Sequence, residues 1–433
     1  MKNHLAKIAP LLSAALTVAC LCACAENMPA EDSGQKSGLC PVTAAGGLIA
    51  QRYAFTDDGY YEIHSRPGTG ANILYTDFAS GQKVYLSSDI NSSHNDERDT
   101  SYISDAYGVF YPLITPKGLV IISNTSDLLI SKYGDKALGR ISISSLSGSG
   151  RRTLYTLAAN EWISDTSVIV RDSEKLYFID YYLETETLGQ KCRLVSIDLN
   201  SGEKQVLENI GGPDRVSVAG AFDNCLVMKK LTAPDPDRPW YEQIDSRENQ
   251  IYTYDIYTDE KRQIFSYRQS RGTAVCRDSL LIYVDYTRQS VTVTDMTSGR
   301  QKNLSLTEGT PDTVQFISVD NRVFDGQIML CGTDRAEPDK PLYFALNLSD
   351  GSMKQINLYS DGKFCDIYAE TDDSFLVANG KFEYEVEYYI QGVPDKIKSK
   401  TVQFALIKKS DYWNSIPNFE NINYDIYKNL NYS

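Results

Sequence analysis

The sequence predicts an all-β protein that folds as a single β-propeller, with seven four-stranded blades and with six or eight blades as alternatives. An alternating strand, a short polar turn and a second strand recur along the chain, as in Leu194–Leu207. The copies follow one another at intervals of about 40 to 68 residues, close to the length of one propeller blade. They extend from Gly46 to Lys409, so one large domain with essentially no helix is expected.

Each part of the repeat has a physical basis. Apolar Val195, Ile197 and Leu199 alternate with polar residues, as in a half-buried strand. A short polar side chain at the start of the turn can accept backbone N–H bonds, and a glycine supplies the positive φ of a tight hairpin. The turns begin at Asp77, Ser145, Asp198, Asp255, Asp295, Asn347 and Ile407, and four of them contain Gly81, Gly202, Gly299 or Gly351.

Residues 1–23 have the pattern of a signal peptide. Lys2 and Lys7 precede the apolar stretch Ile8–Leu21, and a small-residue site ends at Cys24. The run Leu21-Cys22-Ala23-Cys24 resembles the signal of bacterial lipoproteins, which implies that Cys24 becomes the lipidated first residue. An ordinary secretory signal and an uncleaved anchor are the alternatives. Residues 24–45 are then a lipidated tether and residues 46–433 the propeller. The expected location is the extracytoplasmic face of a bacterial cell membrane or envelope.

The composition limits which classes of partner, cross-link and cofactor are expected. The 57 acidic and 43 basic residues give a net charge of −14, which argues against nucleic acid as a partner. Beyond the signal the chain has an even number of cysteines in a compartment that permits disulfides, but they fall in different blades and their pairing stays open. They are Cys40, Cys192, Cys225, Cys276, Cys331 and Cys365. The mature chain has no Cys-x-x-Cys pair, and neither a metal nor a cofactor is expected.

The predicted blades differ in length mainly between their second and third strands. In a propeller these connections open on one face, so the insertions predict a binding surface there. The insertions are Asn124–Gly139, Leu183–Cys192, Thr232–Asn249, Thr333–Pro341 and Glu383–Lys400.

The proline-stiffened loop Pro234–Tyr241 is the best candidate ligand site on this face. Trp240 and Tyr241 could present flat apolar surfaces, with charged groups beside them. The other candidate ligand residues are Asp235, Asp237, Arg238, Tyr181, Tyr182, Tyr388 and Tyr389. Alternatively, Trp240 packs back onto its own blade and the tyrosines are ordinary strand residues.

The repeat resembles the propellers of bacterial periplasmic and surface proteins, including TolB-like and quinoprotein-like repeats. Together with the lipoprotein signal, it is similar to propeller lipoproteins of gut bacteria. Some of those proteins carry a Cys…Cys-x-His…Cys cluster after the first blade, which implies a metal site or cross-link. Here the corresponding residues are Ser87, Ser92, His94 and Asp99. Because thiolates dominate structural zinc sites, a solvated polar loop is the better prediction.

Catalytic signatures are few, and no catalytic residue is assigned. Only His64 and His94 could serve as a histidine base after the signal, and the run Leu146–Gly150 lacks the first glycine of a nucleophile elbow. These features argue against a peptidase that combines a propeller with a hydrolase domain. The sequence therefore predicts a non-catalytic module that binds a glycan, peptide or protein. The alternative is an extracytoplasmic enzyme, a glycan lyase or hydrolase or a quinone-dependent dehydrogenase, with a site in the central channel.

Overall fold

The computed structural model describes residues 38–43, 46–65, 70–87, 89, 92–96, 98–104, 108–124, 126–184, 189–210, 215–235, 237–308, 310–390 and 393–429. Seven antiparallel sheets, each built on four strands consecutive in its sheet, follow one another in chain order. The first strands of neighbouring blades contact one another, as Tyr53–Phe55 and Val109–Thr115 do, and therefore surround the centre. This arrangement confirms the predicted seven-bladed propeller.

The first three blades contain the following strands. Blade one consists of Tyr53–Phe55, Gly59–Ser65, Ala71–Asp77 and Lys83–Tyr85, with Tyr102–Ile103 added beside its third strand. Blade two consists of Val109–Thr115, Gly118–Asn124, Arg140–Ser144 and Arg152–Thr156. Blade three consists of Val170–Arg171, Lys175–Leu183, Gln190–Asp198 and Lys204–Asn209, with Cys40–Pro41 and Glu161–Ile163 added.

The remaining blades continue the same order. Blade four consists of Arg215–Phe222, Cys225–Thr232, Glu248–Asp255 and Lys261–Arg268. Blade five consists of Gly272–Arg277, Leu280–Asp285, Ser290–Asp295 and Gln301–Ser305. Blade six consists of Val314–Phe324, Gln327–Asp334, Glu337–Asn347 and Met353–Ile356. A small hairpin, Tyr359–Ser360 with Lys363–Phe364, leads to blade seven, which consists of Ile367–Glu370, Ser374–Ile390, Val393–Lys408 and Glu420–Asn421.

The predicted turn chemistry is present in the hairpins. In blade three the Asp198 carboxylate accepts hydrogen bonds from the backbone N–H groups of Asn200 and Ser201, at 2.9 and 2.7 Å. Gly202 has φ +76°, and a Cβ atom there would lie 2.1 Å from the carbonyl oxygen of Leu154. In blade four Asp259 takes the same left-handed conformation with φ 59°. Aspartate adopts this conformation more often than most residues other than glycine.

Blade seven is completed by the chain after Trp413. Asn421 pairs with Ala405 of the third strand. The N-terminal segment does not contribute to blade seven, because Cys40 pairs with Arg171 and adds an edge strand to blade three. Among the described residues, blades seven and one share no strand, and they join by side-chain packing and by a backbone hydrogen bond of 2.8 Å from the Asn423 N–H to the Gly81 carbonyl oxygen.

Short helices lie in the connections, so the prediction of essentially no helix is wrong in detail. The α-helices are Asp127–Tyr133 and Lys409–Trp413, and the 3₁₀ helices are Gly47–Ala50, Gly134–Ala137, Trp240–Ser246, Gln269–Arg271 and Asp425–Asn429. A long connection outside a sheet must satisfy its own backbone N–H and C=O groups, and a helical turn does so locally.

The core lies between neighbouring blades. Leu113 and Val120 of blade two, for example, share one buried cluster with Phe178 and Val195 of blade three. Each sheet thus buries both faces against its neighbours, as a single four-stranded sheet cannot do alone. The six described cysteines are free thiols distributed among the blades and the N-terminal strand.

Candidate functional site

A pocket of about 480 Å³ lies in the central channel where blades six, seven and one meet. Its walls come from the first strands of these blades and from the turn before blade one. The residues that define its chemistry are Gln51, Arg52, Tyr53, Asp320, Arg322, Asp366 and Tyr368. Its volume falls within the range of small-molecule sites in proteins, roughly 300–1,000 Å³.

Blade six contributes a fixed ion pair to the pocket. The Arg322 guanidinium donates two hydrogen bonds to Asp320, from Nε to Oδ1 at 2.9 Å and from Nη2 to Oδ2 at 2.8 Å. An irregular register between Val319 and Val323 brings the two side chains together in the middle of the strand. Burial alone would lower the pKa of Arg322, but Asp320 raises it. The pair is therefore a permanently charged but mutually neutralised part of the wall.

Two further charges in the pocket have no partner of this kind. The side chains of Arg52 and Asp366 are exposed, and neither forms an ion pair with any residue that the structure describes. Although Asp366 still contacts water, the surrounding pocket wall partly desolvates its carboxyl group and raises its pKa, and Asp320 adds to the rise while Arg322 opposes it. The pocket thus offers one available cation and one available carboxyl group.

Tyr368 lies among all four charges. Burial raises the pKa of its hydroxyl, Asp366 and Asp320 raise it further, and Arg322 and Arg52 lower it. The Arg322 guanidinium lies 5.7 Å from the centre of the Tyr368 ring. Edge-to-face contacts with Tyr53 at 6.2 Å and with Phe404 at 4.8 Å hold the ring in place. Tyr368 is therefore a rigid, neutral hydrogen-bonding surface between charges of both signs.

The predicted loop Pro234–Tyr241 is an ordered surface loop. Buried Gln243 organises it by donating hydrogen bonds to the carbonyl oxygens of Asp235 and Arg238, at 2.6 and 2.9 Å. Tyr241 is 72% exposed, and Arg238 lies 3.6 Å from Glu242 on the surface. The backbone N–H of Asp237 donates to the Asp235 carboxylate. The side chain of Trp240 lies outside the described residues.

The other predicted aromatic residues are distributed between two blades. Tyr181 stacks on Trp162 in blade three, and the Tyr182 ring lies 4.2 Å from the Arg193 guanidinium. In blade seven the backbone of Tyr388 pairs with Asp395 near the tip of the long hairpin, and that of neighbouring Tyr389 with Pro394, while both tyrosine side chains lie outside the described residues. No contact among the described side chains joins these groups to Tyr241, and a role in binding stays a prediction for all of them.

The four residues that replace the cysteine cluster come together after blade one. His94 Nδ1 lies 2.7 Å from Asp99 Oδ2, and the Ser87 hydroxyl donates to the same oxygen at 2.9 Å. Burial would raise the pKa of Asp99, but hydrogen bonds from Ser92, Ser101 and His94 lower it to about 2. The loop is thus an ordered hydrogen-bonded cluster. Across the described residues, no group of three or more His, Cys, Asp or Glu side chains could hold a metal ion.

The remaining sequence predictions concern His64 and Cys24. His64 lies between blades one and seven, with its ring 5.6 Å from Tyr427 and 6.1 Å from Tyr384. Cys24 lies outside the described residues, and its lipidation stays a prediction. Within the described part of the chain, no helix is long and apolar enough to cross a membrane.

The charged residues of the central pocket were not identified from the sequence. The alternative of a central-channel site named no residue and stays a prediction. A usable signal is a charged residue on or beside the first strand of a blade, because these strands surround the centre. Arg52 and Asp366 directly precede the first strands of blades one and seven, and Arg322 lies on the first strand of blade six.

Comparison with known proteins shows the fold but no family. No protein-family model and no curated protein matches the chain. Among solved structures, a puromycin hydrolase is 11% identical with a TM-score of 0.51, over 88% of this chain and 55% of that one. A puromycin-hydrolyzing peptidase from Mycobacterium tuberculosis is 12% identical with a TM-score of 0.47, over 90% of this chain and 55% of that one. The propeller domain of the Trilobed protease from Pyrococcus furiosus is 12% identical with a TM-score of 0.42, over 79% of this chain and 91% of that one.

The match with the puromycin hydrolase corrects the functional prediction. The chain spans about half the length of that protein and of the puromycin-hydrolyzing peptidase. The prediction of a non-catalytic binding module, which left an enzyme only as the less favoured alternative, is therefore wrong, because the solved structure matched with a TM-score of 0.51 is a hydrolase. At 11% identity the likeness shows the fold alone, and the reaction stays a proposal.

Proposed function

We propose that this chain acts in peptide hydrolysis, as the propeller of a peptidase whose central pocket receives the peptide substrate. The observation that carries the proposal is the pocket itself, which combines available charges of both signs with a neutral aromatic wall. Peptides present the same features, a positive and a negative end separated by amides. The fold that this chain shares with a puromycin hydrolase supports a role in hydrolysis.

The pocket residues are suited to binding and orienting a peptide. The Asp320–Arg322 pair satisfies itself, whereas Arg52 and Asp366 can form new ion pairs. The residues that line the pocket include no Ser, Cys or His that could attack an amide. We therefore assign the attacking nucleophile to a hydrolase region that is joined or bound to the propeller, and assign to the pocket the admission and orientation of the substrate.

We further propose that the protein is a propeller lipoprotein attached through Cys24 to the extracytoplasmic face of the membrane. The signal pattern that ends at Cys24 supports this proposal. Two or three acyl chains, at about 0.8 kcal/mol per buried methylene group, would hold the protein firmly. Cys24→Ala should release the protein from the membrane or leave its signal uncleaved, while Cys20→Ala should behave like the wild type. Lipid labelling that persists in Cys24→Ala would disprove this attachment site.

The peptidase proposal is tested in cells of the source organism that lack this gene. We expect their membrane fraction to hydrolyse a library of short fluorogenic peptides at most one tenth as fast as that of the wild type. Complementation with the natural chain should restore hydrolysis. Complementation with Asn321→Trp should not, because residue 321 is exposed within the pocket and an indole there fills it.

Asn303→Trp is the matched control, since Asn303 is exposed on the outer strand of blade five. It should restore hydrolysis fully, and equal circular dichroism melts should show that both variants fold. Unchanged hydrolysis in the deletion strain would disprove the peptidase proposal. Full rescue by Asn321→Trp would disprove the role of the pocket.

A further inference from the structure

Arg52 and Asp366 are the two charges of the pocket that its own structure leaves available. The other two, Asp320 and Arg322, neutralise each other through hydrogen bonds of 2.9 and 2.8 Å. The available pair comes from different blades, since Arg52 directly precedes the first strand of blade one and Asp366 that of blade seven. A ligand that satisfies both must itself carry a positive and a negative group.

We propose that the central pocket selects short peptides with both ends free, binding the carboxylate at Arg52 and the ammonium group at Asp366. This inference rests on the proposed function and specifies its substrate class. Tyr368 lines the same pocket, and its hydroxyl group can hydrogen-bond to the peptide amides. An arginine provides the planar pair of donors that matches a carboxylate.

The size and charge of the pocket argue for this ligand class over others. A volume of about 480 Å³ accommodates a short peptide but not a folded segment. A purely anionic ligand would leave Asp366 opposed to its charge, and a purely cationic one would leave Arg52 unpaired. A neutral sugar would leave both charges desolvated without partners, which costs binding free energy.

The test measures binding by isothermal titration calorimetry to the full chain in detergent micelles. The probes are Ala-Ala-Ala, its N-acetyl derivative and its C-terminal amide. We expect the free peptide to bind at least tenfold more tightly than either blocked form, since each blocked end loses one ion pair. Arg52→Gln should remove the discrimination against the amide only, and Asp366→Asn the discrimination against the acetylated peptide only.

Arg277→Gln and Asp278→Asn, in an exposed turn of blade five, are the matched controls and should leave both discriminations unchanged. Equal affinity for free and blocked peptides, discrimination that survives both pocket substitutions, or no binding up to millimolar peptide would each overturn the inference.

The peptide selectivity and the proposed peptidase function can be disproved independently of each other. If hydrolysis depends on the gene but free and blocked peptides are cleaved alike, only the selectivity is disproved. If the pocket binds selectively but hydrolysis does not depend on the gene, only the peptidase proposal is disproved.

Discussion

Lys83 in blade one and Lys204 in blade three occupy the same position of the repeat but have different surroundings. Each lies two residues after the turn glycine, Gly81 or Gly202, and begins the fourth strand of its blade. Each is almost entirely buried and pairs with a carboxylate from elsewhere in the same sheet. The repeat thus places the two ammonium groups equivalently, and the rest of the fold decides what surrounds them.

The Lys83 ammonium group lies in an aromatic cage. It is 2.7 Å from Glu62 Oε1, and three tyrosine rings surround it with centroids at 4.8 to 5.2 Å. Those rings belong to Tyr60, Tyr424 and Tyr427. The Tyr427 hydroxyl also donates a hydrogen bond to Glu62. Two of the three rings come from the chain after blade seven, so the cage ties that segment to blade one.

Lys204 belongs to a cluster of four ions. Its ammonium group contacts both Glu161 and Asp180. Arg193 Nη2 contacts the same two carboxylates, at 2.6 and 2.8 Å. Burial raises the pKa of Asp180, Lys204 only partly opposes the rise, and Glu161 adds to it. At Glu161 burial is outweighed by Lys204 together with hydrogen bonds from Asp180 and the Ala158 backbone N–H, and the pKa is lowered. The comparison shows that one buried lysine can be satisfied by aromatic faces or by further charges.

Lys204→Met should produce the largest loss of stability. It would leave two buried carboxylates sharing one guanidinium, and breaking a buried ion pair in this way costs about 3–5 kcal/mol. Equilibrium urea denaturation, followed by circular dichroism, measures the loss as a lower midpoint at constant slope. A loss below about 1 kcal/mol would mean that the four-ion cluster does not depend on its lysine.

Lys83→Met should cost less, about 2–3 kcal/mol. Glu62 would keep the hydrogen bond from Tyr427, and the methionine thioether can pack favourably against the three rings. The same denaturation experiment measures it. If Lys83→Met proved more destabilising than Lys204→Met, the cation–ring contacts around Lys83 would stabilise the fold more than the ion pairs around Lys204.

Asp180→Asn should change the pH dependence of stability. Burial raises the pKa of Asp180 to about 6, in surroundings that include Glu161, Lys204, Arg193, Tyr155 and Cys192. Between about pH 4 and pH 6 the folded wild type therefore holds a proton that the unfolded chain has released, and its stability falls as the pH rises.

The Asp180→Asn variant lacks this loss. Between pH 4 and pH 7 its free energy of unfolding, relative to that of the wild type, should therefore rise by at least about 1.4 kcal/mol, which is equivalent to one pKa unit. Urea denaturation of both proteins at half-unit pH steps measures the difference. A difference that stays constant with pH would show that Asp180 is ionised throughout.

Lys261→Met should have the smallest effect. Lys261 holds the equivalent position in blade four, but its side chain is 44% exposed and its partner Glu208, at 2.6 Å, lies near solvent. A surface ion pair contributes about 0–1 kcal/mol, so the urea midpoint should barely change. A loss comparable to that of Lys83→Met would show that repeat position, and not burial, sets the contribution of these lysines.

Local sequence was sufficient wherever neighbouring residues decide the conformation. Where a turn contains the Asp and Gly of the repeat, these residues act on backbone atoms two to four residues away, so the hairpins and the number of blades could be predicted. The connections after Asn124, Leu183 and Thr232 were located correctly, but the short helices in the first and third were missed, because such segments lack the alternation of a strand and a periodic apolar face. The other two predicted insertions, Thr333–Pro341 and Glu383–Lys400, lie mostly within long paired strands of blades six and seven, so they were wrongly predicted as loops.

The sequence by itself therefore determined the repeat, its turns and the propeller that seven copies build. Tertiary structure alone decided which side chains meet across blades. Arg52 and Asp366 are 314 positions apart in the chain and face one pocket only because blade seven closes against blade one. The tyrosines that enclose Lys83 come from the far end of the chain for the same reason. Contacts between distant segments depend on how the ring closes, and a local pattern carries no record of that closure.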